Sequence, residues 1–164
     1  MFFRRLASIL IVLILLVSIS GCAKRHKDGG IVGIQTQLEP TLEDVARAYT
    51  ETCVGGQRES NNCAHFLSDA FIRAGYTELL DSELITERCL CGEGRVVRAQ
   101  DMLKWFQSKS QRFHTGRLEP NTGFWATYQE KAGRRHVTIL DTRTGKFYGT
   151  ADCKNWPVQW NYQW

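Results

Sequence analysis

From Ile9 to Val17 the chain is apolar without a break, behind Arg4 and Arg5 and ahead of Ser20 and Gly21. A positive start, a short apolar run and then small residues form the pattern of an export signal. The run falls short of the ~20 residues that span a bilayer comfortably. Residues 1–21 are therefore read as a segment removed on export, which leaves 143 residues, enough for one domain. Residues 22–40 mix charge and glycine without sustained periodicity and read as a tether. The folded part is expected over 41–164, enough for a single modest core.

Ile19-Ser20-Gly21-Cys22 resembles the lipobox of bacterial lipoproteins, which makes Cys22 the expected site of lipid attachment. More than one acyl chain there would anchor the protein firmly to a membrane. Ala23 stands where an aspartate would resemble an inner-membrane retention signal, so the expected location is the outer membrane, facing the periplasm. The net charge is +4, of which Arg4 and Arg5 supply two. The remainder is too weak for a nucleic-acid partner, and no basic stripe supports one.

Apart from Cys22 there are five cysteines: Cys53, Cys63, Cys89, Cys91 and Cys153. An oxidising compartment favours pairing, and five cannot all pair within one chain. Cys89 and Cys91, one residue apart, are expected not to bond each other without strain. Two bridges from them to Cys53 and Cys153 would leave Cys63 over; the alternative is that Cys63 is bridged and another cysteine is the odd one. The Cys89-Leu90-Cys91 spacing is shorter than the usual zinc-ligand spacing, so no metal and no cofactor is expected.

Asn61 and Asn62 are good caps for a helix over CAHFLSDAFIRAGY, in which Phe66, Leu67, Ala70, Phe71 and Ala74 recur at helical spacing before Gly75. Cys63 then sits in the first turn, where unpaired N–H groups and the helix dipole favour thiolate and could hold an oxyanion. A small buried cysteine is the alternative at such a position. Of the four histidines, His26 lies in the tether, and His65 is about 200° round the helix from Cys63. His114 follows a polar stretch. His136 opens HVTILD, which alternates like a strand, with His136, Thr138 and Leu140 on one face.

The other elements follow from local signals. Thr41-Leu42-Glu43-Asp44 opens a helix toward Thr52 in a capping-box-like pattern. A later helix holds Met102, Leu103 and Phe106. Strand signals run over Thr122–Tyr128, His136–Asp141, Lys146–Thr150 and Val158–Trp164, with Thr142–Gly145 as a hairpin turn. Helices first and strands afterwards predict an α+β fold, with helices packed on one antiparallel sheet.

NNCAHFLSDAFIRAG resembles the nucleophile helix of the fourth family of type VI secretion amidase effectors, within the NlpC/P60-like (papain-like) cysteine peptidases. Cys63-Ala64, Leu67-Ser68, Ala70 and Ala74-Gly75 fall on that family's pattern. Arg95–Phe106 is similar to its next helix, VQWNYQW to its closing strand, and RRHVTILD to its histidine strand, with Arg135 where the family has glycine. The resemblance implies a papain-like fold with Cys63 as nucleophile, His136 as base and an aspartate as orienter, Asp152 first and Asp141 second. It implies as substrate an amide of the peptidoglycan stem peptide, and an inhibitor or other envelope protein as partner. A binding lipoprotein on the same fold and a thiol acyltransferase or transamidase are the competing readings.

Overall fold

A computed structural model describes residues 38–51, 62–91, 93–150 and 155–164, within a folded unit that runs from Gln37 to Trp164. The export segment, Cys22, Cys53, Asn61, Asp152 and Cys153 lie outside the described residues. Among the described residues no helix is long and apolar enough to cross a membrane.

Helix α1 (Leu42–Ala48) begins at a complete capping box. The Thr41 hydroxyl accepts from the Asp44 amide, and the Asp44 carboxylate accepts from the Thr41 amide at 2.9 Å. The helix stops well before Thr52, because Tyr49 is already extended. Helix α2 (Asn62–Ala74) ends as its sequence dictates. Gly75 takes a positive φ of 115°, and the Tyr76 amide closes back on Phe71 O, the Schellman arrangement that lacks strain only at glycine. A 3-10 turn, Thr77–Leu80, follows. Helix α3 spans Ala99–Lys109, starting later than the Arg95 suggested by the family pattern.

Five strands form one antiparallel sheet: β1 (Arg112–Thr115), β2 (Phe124–Lys131), β3 (Arg134–Asp141), β4 (Lys146–Tyr148) and β5 (Val158–Gln163). Their order across the sheet is β1-β5-β2-β3-β4. Helices precede strands and pack on the sheet, the α+β arrangement expected. Strand β1 escaped the sequence reading because all four of its residues are exposed, so no in–out alternation marks it.

The helices lie over one sheet face. Val45, Leu67, Phe71, Met102 and Phe106 meet Ala126, Tyr128, Val137, Ile139 and Tyr162 in a single core. Aromatic edges organise it: Phe71 and Trp105 have centroids 4.9 Å apart, and Trp105 meets Trp164 at 5.7 Å. The last residue of the chain is thereby held in the helical layer. The other side of α2 is polar and also buried. Ser68 accepts from the Val96 amide at 3.0 Å, and Asp69 takes Arg95 Nε at 2.6 Å as well as Arg73. These bonds fasten the 86–96 segment along the back of the helix.

Candidate active site

Cys63 lies in the first turn of α2 with only 4% of its surface exposed. Burial pushes its thiol above the ordinary value of 9.0, while the amides of Val137, Ala64 and Cys63 itself pull it part of the way back. The helix start alone favours thiolate; here desolvation outweighs it and favours the neutral thiol. The Val137 amide also fixes where the sulfur is. It sits against β3 one residue past His136.

A thiol with a raised pKa stabilises the fold below pH 9, the unfolded value, and that contribution is lost as pH rises through the folded value. Denaturant midpoints measured from pH 7 to 10.5 should therefore fall more steeply above pH 9 for the wild type than for Cys63→Ala. Parallel curves would contradict this assignment.

His136 is buried near the start of β3. Strand alternation turns Val137 and Ile139 toward the helices, and His136 and Thr138 toward the opposite face. Cys63 thus meets β3 from the helical side beside Val137, while the imidazole leaves the same stretch of the strand on the other face. The imidazole has Trp156 edge-on at 6.3 Å. Gly149 has no room for a side chain: a Cβ there would meet Thr138 Oγ1 at 2.6 Å, Thr138 Cβ at 2.8 Å and His136 Nε2 at 3.4 Å. Gly149→Ala must push β4 off β3 and is expected to destabilise the chain by about 1–3 kcal/mol, read from denaturant unfolding. An unchanged midpoint would show that the strands separate without cost.

Asp141, the second choice as orienter, is committed elsewhere. It accepts from the Arg143 amide and Nε, both at 3.0 Å, and from Thr144 Oγ1 at 3.0 Å, so it caps the β3–β4 turn. Burial raises its pKa, but these bonds outweigh that and hold it below the usual carboxylate range. Five residues of strand separate it from His136, roughly 16 Å of rise, far beyond hydrogen-bond reach. Asp152, the first choice, lies outside the described residues.

The other histidines separate cleanly. His114 is exposed on β1, with Nε2 3.0 Å from Arg117 O. His65 is fully buried on the side of α2 away from Cys63. The cysteine pairing differs from expectation: Cys89 is joined to Cys91 by a disulfide, so neither is left to bridge Cys53 or Cys153. The turn at Leu90 brings their Cα atoms to 5.3 Å, inside the normal disulfide range despite the single intervening residue.

No family model and no curated protein matches the sequence. Its fold resembles a chain of an effector–immunity pair. That structure is the Tae4/Tai4 system from Salmonella typhimurium (selenomethionine variant), matched at TM-score 0.52 and 12% identity over 76% of this chain and 97% of that one. A second match is to the structure of Tae4 from Salmonella typhimurium in complex with the immunity protein Tai4 from Enterobacter cloacae. It covers 76% and 98% at TM-score 0.49 and 12% identity. At this identity the likeness is one of fold.

Two residues that the sequence does not mark interact with the candidate pair. Tyr49 follows α1, and its phenol is raised by burial first and by the charges of Glu51 and Cys63 next, so it is coupled electrostatically to the sulfur. Its hydroxyl is buried without a hydrogen-bond partner among the described residues. Gly149 is the other. Both line one cleft of about 450 Å³, together with Arg47, Glu51, Lys146 and Tyr148; neither Cys63 nor His136 is among its lining residues. Neither carries a sequence signal, since a tyrosine just past a helix and a glycine just past a strand are common.

Proposed function

We propose that this chain is a cysteine amidase that hydrolyses an amide bond in peptidoglycan stem peptides, tethered in the cell envelope through lipid on Cys22. The observation that carries the reading is the seating of Cys63: a helix-start thiol pressed against the strand that holds His136, on a fold that resembles a chain of an effector–immunity pair. In this scheme the imidazole of His136 comes round β3 to Cys63 as the substrate binds, and as general base takes the thiol proton while the sulfur attacks the carbonyl. The imidazole then protonates the leaving amine, and water releases the acyl group from sulfur. The α2 N-terminal amides and the Tyr49 hydroxyl are the donors available to the oxyanion. Asp152 is the orienter in this scheme. Arg47 and Lys146 in the cleft suit the carboxylates of a stem peptide.

Self-export and a lipid anchor fit a resident wall enzyme better than an injected one, and the effector–immunity pairing of the matched structure supports an inhibitor protein as partner. The second reading is a binding lipoprotein on the same fold, which the deep burial of the Cys63 thiol favours. Purified sacculi incubated with the chain decide between them. The amidase yields muropeptides in which one amide has become an amine and a carboxylate. Sacculi left intact under both reducing and non-reducing conditions would favour the binding reading.

A further inference from the structure

Away from the cleft, the back of α2 carries a second cluster of reactive groups. His65 and the Cys89-Leu90-Cys91 turn each offer donors, and one ring nitrogen of His65 and the two sulfurs all lie within 4.8 Å of one another. His65 is fully buried, Cys89 is 7% exposed, and Cys91 is half-buried. The Cys91 amide donates to Cys89 Sγ at 3.0 Å, a bond that supports negative charge on that sulfur. The turn is held in place from both flanks: Arg95 is fixed by Asp69, and Arg88 Nη1 binds Gly94 O at 2.7 Å. The Cys89 amide itself bonds Arg95 O at 2.8 Å.

We infer that in the reduced chain His65, Cys89 and Cys91 bind one thiophilic d10 cation, Zn²⁺ or Cu⁺. Two thiolates and an imidazole are the donors such cations select, and three protein ligands leave a further position open on zinc. The Cys-x-Cys spacing is short for a zinc site built from local sequence alone. The third ligand removes that objection because it comes from α2, more than twenty residues earlier. Leu90, at the tip of the turn, is 91% exposed, so the open position has a route from solvent beside the half-buried Cys91.

The structure holds the two sulfurs as a disulfide, so reduction comes first. A dithiol donates two electrons and two protons, the S–S bond breaks to give two thiols, and the dithiol leaves as its own disulfide. The cation then displaces the two thiol protons to solvent. One cluster thus exists as a disulfide when oxidised and as a metal site when reduced. This inference is independent of the amidase reading.

The test is an anaerobic titration of the purified chain, reduced and then freed of reductant, with Co²⁺ as an optical stand-in for Zn²⁺. One equivalent should produce intense sulfur-to-cobalt charge-transfer bands that one equivalent of Zn²⁺ abolishes. Cu⁺ affinity is read separately by competition with a chromogenic chelator. His65→Ala removes a buried ring and risks the fold, so Cys91→Ser is the deciding variant. It should lose the bands and weaken binding at least about tenfold, whereas Cys63→Ala and the double variant Cys53→Ser/Cys153→Ser keep both. Zn²⁺ should also raise the melting temperature of the reduced wild type and leave the oxidised chain unmoved. Absence of a one-equivalent complex in the reduced wild type would overturn the site. So would bands that survive Cys91→Ser but vanish in the Cys53/Cys153 variant.

Discussion

Cys63→Ala should lower the rate of sacculus hydrolysis by at least about 10³-fold while the chain keeps its fold. The two halves of that expectation have separate causes. The catalytic loss follows from removing the protein atom that attacks the substrate carbonyl. What survives is the contribution of the oxyanion donors and of binding, which accelerates the reaction far less. The fold survives because the change removes one sulfur from a core that retains Leu67, Ala70, Phe71, Val137 and Ile139 around it. A cavity that small costs about 1 kcal/mol. Muropeptide release followed by chromatography, with circular dichroism as the control for folding, separates the two. Hydrolysis at the wild-type rate by a folded Cys63→Ala protein would remove the cysteine from the mechanism.

The largest effect on stability is expected at Asp69. Its carboxylate is almost wholly buried, with 2% of the side chain exposed, and it receives Arg95, itself 8% exposed, together with Arg73. Asp69→Ala leaves the Arg95 guanidinium buried without its carboxylate, and breaking a buried pair from one side costs about 3–5 kcal/mol. Glu93 cannot substitute: it is 4.0 Å from Arg95 and 43% exposed. Equilibrium unfolding in urea reads this directly, as a lower midpoint with the slope unchanged. The double variant Asp69→Ala/Arg95→Met should recover most of the loss, because an apolar pair removes both stranded charges. Failure of the double variant to recover would mean that Asp69 acts mainly through Arg73.

Much of this architecture is legible in the chain. The period of Phe66, Leu67, Ala70, Phe71 and Ala74 marks α2, and Gly75 stops it for a stated conformational reason. Alternation in HVTILD marks β3 and, with it, the two faces that divide Val137 from His136. Two readings differ from the structure because they depend on partners distant in sequence, and two because a local turn decides them. Cys63 follows the helix dipole in isolation, whereas its ionisation is ruled by how deeply the sheet buries it. Arg95 reads as the first residue of a helix because nothing local reveals that Asp69 claims it. The spacing of Cys89 and Cys91 argues against their pairing, yet a turn with Leu90 outward brings them together. Asp141 looks like a free-standing acid after a histidine strand, yet the residues immediately following it, Arg143 and Thr144, take both its oxygens for a turn.

The claim on which the rest depends is that Cys63 and His136 act as one unit across β3. Its most direct test is a set of sacculus-hydrolysis rates for the wild type, Cys63→Ala, His136→Ala and the double variant, each checked for folding. A coupled pair predicts large losses in both single variants and a double variant no slower than the worse of them. A folded His136→Ala protein working at the wild-type rate would contradict the account.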